Sequence, residues 1–329
     1  MVLPVFTSCK ESDTPADNTP TNLTLTADIL PDNSGTVHFA AAATNATVYT
    51  FDLGNGKTEI STTGLLTYVY STSGIYTVTV VAKSATGQTA SKILVVNVNV
   101  VLNLVWSDEF DTPGAPNTTK WGYDLGAGGW GNNEAEYYTN RLDNAVVADG
   151  MLKIILKKED YSGSAYTSAR LLSKNKYSFK YGKIEVRAKL PAGGGTWPAI
   201  WMLGDNISSA GWPACGEIDI MEHVGNQLNK IYGTLHHPGH SGGNGDGATV
   251  MISNVTSEFH KYAFEWSSTT MRFYVDDVPF YTFTNTASLP FNQNFFIILN
   301  VAVGGNFGGT IDPAFTTGTM EVDYVRVYQ

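Results

Sequence analysis

The stretch 216-GEIDIMEHVG-225 sets three carboxylates, Glu217, Asp219 and Glu222, among apolar residues of β character. Unpaired carboxylates near a core are costly, because desolvation penalises the charged form. On a regular strand side chains alternate faces, so Glu217 and Asp219 share one face and Glu222 points to the other. Glu222 joins the first two only if an extra residue is inserted near Ile220 and Met221, as in a β-bulge. Alternation alone leaves a second reading open, in which Glu217 and Asp219 face solvent and Glu222 makes a structural pair.

The flanking sequence carries short alternating strands separated by Gly-rich turns: "YGKIEVRAKL", "KYAFEWSS", "MRFYVDD", "FFIILNVAVGG" and "MEVDYVRVY". No helical periodicity of useful length interrupts them. Such spacing indicates an all-β sandwich or jelly roll. All seven tryptophans, at 106, 121, 130, 197, 201, 212 and 266, lie after Val101. Before it, residues 22–101 form a Thr/Val-rich pattern without tryptophan. There "IYTVTVVA" alternates Tyr76, Val78 and Val80 with threonines, and "FDLGNGK" runs a strand into an Asn-Gly turn.

The chain has 329 residues, enough for two domains, and 20 Lys plus Arg against 30 Asp plus Glu give a net charge of −10. This argues against nucleic acid or an anionic membrane surface as partner and disfavours a sulfated polyanion. No apolar run reaches the ~18 residues of a bilayer span. The two cysteines, Cys9 and Cys215, sit in unlike contexts and do not suggest a disulfide; Cys215 reads as a small buried hydrophobe. "MVLPVFTSCKESDTPADNTPTN" resembles the end of a truncated bacterial lipoprotein signal, with Cys9 as the lipidated residue and residues 1–21 as a polar tether.

Paired carboxylates flanking a glycosidic bond are the equipment of glycoside hydrolysis, and a third between them holds their pKa values apart. "GEIDIMEH" resembles the E-[IL]-D-[IVA]-x-E signature of the bulged branch of glycoside hydrolase family 16. The likeness extends over roughly residues 104–329, through "WSDEFD", "GWGNNEAEYYT", "YGKIEVRAKLPAGGGTWPAIWMLG", "YGTLHH" and "LNVAVGGNFGG". The subgroup most similar is the laminarinases, bacterial endo-β-1,3-glucanases. Residues 22–101 resemble the PKD domain, an immunoglobulin-like β-sandwich usually acting as a spacer.

The resemblance implies a jelly-roll catalytic domain over 102–329 that needs no cofactor for catalysis. It implies Glu217 as nucleophile, Asp219 as its orienting partner, Glu222 as general acid and then base, and His236 beside the nucleophile and substrate. Trp130, Trp201 and Trp212 are the expected sugar platforms, with Asn132, Arg170 and Asn300 as polar cleft residues. Trp106, Trp121 and Trp266 are expected in the core. A structural Ca²⁺ is implied on the convex face, held by Glu109, Gly150 and Asp323. The expected partner is a neutral laminarin-like β-glucan, met by a monomer outside the cell or at its outer surface. A mixed-linkage β-glucanase and a non-catalytic β-glucan-binding protein are the alternatives. Agarases and carrageenases share the scaffold, but the chain lacks the basic excess a sulfated galactan would favour. Phe307 stands where the family often has tryptophan.

His236, His237 and His240 in "HHPGH" lack a helical i, i+4 pair or a cysteine set, so they are read as a cleft histidine with exposed neighbours rather than a zinc site. The "HSGGNGDGA" that follows reads as a loop at one end of the cleft.

Overall fold

The computed structural model describes residues 18–329, so Cys9 and most of the expected tether lie outside the described residues. The chain divides between Val101 and Leu102 into two compact units. No helix among the described residues is long and apolar enough to cross a membrane.

In the N-terminal unit a three-stranded sheet (Thr21–Ile29, Thr36–Thr44, Leu65–Val69) and a four-stranded one (Val48–Asp52, Thr58–Ser61, Gly74–Lys83, Thr89–Val98) enclose one core. Val78 and Val80 are fully buried, while Thr77 and Thr79 between and beside them are not, the pattern their alternation predicts. Phe39, Phe51 and Tyr70 fill the centre.

The C-terminal unit is a second, larger sandwich. A ten-stranded sheet is built around Thr317–Tyr328, which pairs with Met151–Tyr161, Gly182–Lys189 and Leu104–Asp108. A seven-stranded sheet carries the site. Its strands, in chain order, are β1 (Gly122–Asp124), β2 (Arg170–Leu172), β3 (Thr196–Gly204), β4 (Glu217–His223), β5 (Lys230–His236), β6 (Asp246–Met251) and β7 (Phe295–Val303). They lie in the order β6-β5-β4-β3-β7-β2-β1.

One face of this sheet, bearing Ile200, Met202, Ile218, Leu235, Ile297 and Leu299, belongs to the main hydrophobic core. Trp121 and Trp266 are 1% and 2% exposed, and their indole N–H groups donate to Asp108 and to the Phe291 carbonyl. Trp106 packs at the core edge, stacked on Tyr177. Cys215 is a buried free thiol. The other face of the seven-stranded sheet is where the acidic residues emerge.

Candidate active site

The register of β4 decides where its carboxylates point. Against β3, Glu217 pairs with Leu203, Asp219 with Trp201 and Glu222 with Ala199, and the register slips between Ile200 and Trp201. Against β5, the partners are His236, Thr234 and Tyr232, with a slip between Asp219 and Glu222. All three carboxylates therefore face residues of one parity on both neighbours, and cross-strand partners share a face. The extra residue lies at Ile220–Met221, and both of these side chains enter the core. Their combined burial offsets the lost ladder pairing and turns Glu222 onto the polar face.

The same logic extends across the sheet. Ala199 pairs with Asn300 of β7, Asn300 with Arg170 of β2, and Arg170 with Asp124 of β1. A row Tyr232–Glu222–Ala199–Asn300–Arg170–Asp124 thus crosses one face.

At one end of the acidic trio, Trp212 Nε1 donates to Glu217 at 3.0 Å. His236 Nε2 lies 3.1 Å from Asp219 and 3.7 Å from Glu217. At the other end Trp197 Nε1 donates to Glu222 at 2.9 Å. The sequence reading makes Trp197 available to the cleft but assigns it no role; its parity on β3, shared with Trp201, is the signal for its place beside Glu222. Phe307 stands edge-on to both Trp197 and Tyr232, at 5.4 and 4.9 Å between ring centres, so it buttresses the donor of Glu222.

Trp201 Nε1 donates to Asn300 at 2.7 Å, and the Arg170 guanidinium lies over both Trp201 and Trp130. Arg170 also pairs with Asp124 at 3.0 Å. Asn132 connects less directly: it donates to Glu134, which accepts from Tyr138, which accepts in turn from Asn300. Glu134 and Glu136 are two buried acids that the sequence reading passed over. Burial, then the neighbouring Glu134, pushes the Glu136 carboxyl well above the usual range. Trp212 is 49% exposed, an open indole face beside Glu217.

Burial dominates the electrostatics of the trio. It pushes Glu222 up to about 8, with Asp219 adding to the rise and the Trp197 N–H opposing it. Asp219 is pushed up to about 8 by burial, against a hydrogen bond with Glu217 that lowers it. Glu217 is raised well above its ordinary value by burial and then by Asp219, while His236 opposes. Three carboxyls this close cannot all ionise at neutral pH, so they hold protons among them.

A Trp197→Phe change removes the one N–H that stabilises ionised Glu222. A hydrogen bond to a charged group is worth about 1.5–3 kcal/mol, and one pKa unit is about 1.4. The alkaline limb of kcat/KM is therefore expected to move up by about one to two pH units. An unmoved limb in the pH profile would show that this bond does not tune Glu222.

The residues expected to hold calcium lie elsewhere, on the ten-stranded sheet. The strand Thr317–Tyr328 changes partner there, from Leu152 opposite Val322 to Asp108 opposite Val325. Asp323 sits at the change, with Glu109 following Asp108 and Gly150 preceding Met151 in the adjoining turn. Gly150 has φ +72°, which the turn requires and glycine accepts. Both carboxylates already have partners: Glu109 receives Arg326 Nε and Nη2 at 3.0 and 2.8 Å, and Asp323 receives Arg187 at 2.6 Å.

The histidine motif departs from expectation. His236 faces the acids, but His237 is 5% exposed rather than open, and it lies against Phe283 and Phe291.

Residues 132–326 match the family described as Glycosyl hydrolases family 16, and residues 22–98 match the PKD domain. A beta-glucanase of Rhodothermus marinus is 47% identical over 242 residues, covering 69% of this chain and 85% of that protein. A glucan endo-1,3-beta-glucosidase of Cryptopygus antarcticus is 39% identical over 248 residues, covering 68% of this chain and 90% of the relative. The X-ray structure of the laminarinase from Rhodothermus marinus superposes with a TM-score of 0.67 at 46% identity, over 70% of this chain and 98% of the other.

Proposed function

The chain belongs to glycosyl hydrolases family 16, and from that premise we propose that it is a retaining endo-β-1,3-glucanase acting on laminarin-type glucan. The observation that carries the reading is the bulge that puts Glu217 and Glu222 on one face with Asp219 between them. A glucan-binding protein without catalysis has no need of two such acids brought round at the cost of a bulge. Beta-1,3 linkage is favoured over mixed linkage by the relatives named for it.

In the first step Glu222, protonated at neutral pH, donates its proton to the leaving oxygen while Glu217 attacks the anomeric carbon. Glu217 must be ionised to attack. Its anion accepts the Trp212 N–H, and a proton held on Asp219 removes the neighbouring charge that would otherwise suppress it. In the second step Glu222, now a carboxylate held by the Trp197 N–H, takes a proton from water, which displaces Glu217. Trp212, Trp201 and Trp130 offer ring faces for sugars, and Arg170, Asn300 and Asn132 fix the polar side of the cleft. Reducing-sugar release from laminarin, lichenan, agarose and carrageenan tests the substrate class. Release from laminarin foremost supports the reading, and binding without release from any polymer refutes it.

The unit before Val101 acts as a spacer in this proposal. A protein lacking residues 1–101 is expected to keep its kcat on soluble laminarin within about twofold; loss of hydrolysis in a folded C-terminal unit would contradict the spacer role.

The register that sets Asp323 near the turns carrying Glu109 and Gly150 supports a structural Ca²⁺, since all three offer the hard oxygen donors it takes. The ion would have to draw the carboxylates from Arg326 and Arg187. It would tie the strand Thr317–Tyr328 to its two successive partners and take no part in the chemistry. Calcium at 100 times its Kd adds about 2.7 kcal/mol, or roughly 5–10 °C in Tm for a unit of this size. Asp323→Asn should abolish the shift; an identical Tm in calcium and in chelator would exclude the site.

We propose that the protein works as a monomer outside the cell or at its outer surface, in the latter case anchored through Cys9, a reading supported by the lipoprotein-like segment around that residue. Membrane fractionation tests the anchor, which Cys9→Ser should release, and light scattering tests the monomer.

A further inference from the structure

Across β5 from the acids, on the opposite side of the strand, His237 Nε2 lies 2.9 Å from Asp246 Oδ2, and His240 Nδ1 lies 3.1 Å from Asp246 Oδ1. The donor atoms all fall within 4.8 Å of one another, and the two imidazoles stack at 4.8 Å with a 22° tilt. His237 Nδ1 is 3.3 Å from the Pro238 carbonyl. Both ring nitrogens of His237 are thus engaged, one by a carboxylate and one by a backbone carbonyl, and a metal ion would replace the proton shared between Nε2 and Asp246. An imidazole whose far nitrogen is held by a backbone carbonyl is the arrangement metal-ligating histidines adopt.

We propose that His237, His240 and Asp246 form a second, transition-metal site, taking Zn²⁺ through two imidazole nitrogens and one carboxylate with the fourth position open to water. The donor set is the one zinc prefers over calcium. His237 is buried and anchored by aromatic neighbours, whereas the His240 side chain is 53% exposed, which gives an ion a path in and leaves room for a water ligand.

The site would close the Gly-rich segment between β5 and β6 as a staple. That segment rests on the active site: a Cβ built on Gly245 would stand 2.7 Å from His236 Cε1. Metal at the staple would therefore hold the backbone that backs His236 beside Asp219 and Glu217. The sequence reading missed the set because Asp246 is separated from His237 by a glycine-rich run and only strand pairing brings them together; Leu235 opposite Asp246 is the register that does so.

Glu217, Asp219 and His236 also cluster closely enough to take a metal, so the test must separate the two places. Isothermal titration of the full-length protein with ZnCl₂, in saturating CaCl₂, is expected to show one Zn²⁺ bound. Losing even a partner of a metal ligand typically weakens binding about 10–100-fold, so His240→Ala, which removes a ligand, should weaken it on the order of 100-fold or more. Glu217→Gln should leave it unchanged. Absence of saturable binding, binding that survives His240→Ala, or binding that falls in Glu217→Gln would each overturn the proposal. Circular dichroism of His240→Ala guards against a folding artefact, and Asp246→Asn, close in shape, should reproduce the loss.

Discussion

Glu217→Ser should reduce kcat on laminarin by about 10⁴–10⁶-fold, the scale seen when a nucleophile that works within a catalytic unit is removed. The effect should fall on kcat and largely spare polysaccharide binding, because Trp130 and Trp201 are untouched and Trp212 loses only the acceptor of its indole N–H. A serine hydroxyl neither reaches the anomeric carbon from the same backbone position nor leaves as readily as a carboxylate. The substitution also relieves Asp219 of a buried neighbour, so the folded protein should be no less stable than the wild type. A variant retaining more than about a tenth of wild-type turnover would remove Glu217 from the reaction.

Glu222→Gln should cost about 10²–10⁴-fold on glucan, the usual contribution of general acid catalysis. Its diagnostic is leaving-group dependence. An aryl glycoside whose leaving group departs without a proton should react in the first step nearly as fast as with the wild type. Wild-type kcat/KM should decline above pH about 8, where Glu222 loses its proton, and the variant should lose that contribution to the alkaline limb and keep only the one from Asp219. The sign follows from the raised pKa: the acid is active below it and lost as pH climbs through it. Equal losses on glucan and on the activated glycoside would mean that Glu222 is not the proton donor.

Much of the site was legible because strand parity is a strong constraint. Glu222 had the wrong parity for a shared face, and the only strand device that repairs it is one extra residue, which the registers place at Ile220–Met221. Trp121 and Trp266 lie in the core as expected, 1% and 2% exposed, although their immediate neighbours Lys120, Gly122, Glu265 and Ser267 are not apolar. Legibility failed where alternation is erased. Every residue of β7 is buried, so the strand reads as a continuous apolar run in which Asn300 alone hints at a polar face. Glu134 and Glu136 lie around a short three-residue strand whose pairing is parallel and distant, so nothing local shows them buried together. Trp197 was visible as an aromatic, but its N–H donation to Glu222 depends on how β3 and β4 pair across the bulge.

The N-terminal unit was the easier case. Gly74–Lys83 alternates as its sequence implies, Gly64 takes a positive φ at a turn where a built Cβ would stand 2.0 Å from the Ala41 carbonyl, and the core is a single cluster. Nothing in its sequence collects carboxylates or open aromatics in one place, and that is why the chemistry is assigned to the larger unit.

The stereochemistry of the first product tests the account most directly. Proton NMR recorded during the first minutes of laminarin hydrolysis should show the β-anomer at the new reducing end, with the α-anomer growing in only by mutarotation. This follows if Glu217 forms a covalent glycosyl intermediate that water, activated by Glu222, displaces from the opposite face. The α-anomer appearing first would mean a single displacement, and the roles given to Glu217 and Glu222 would be wrong.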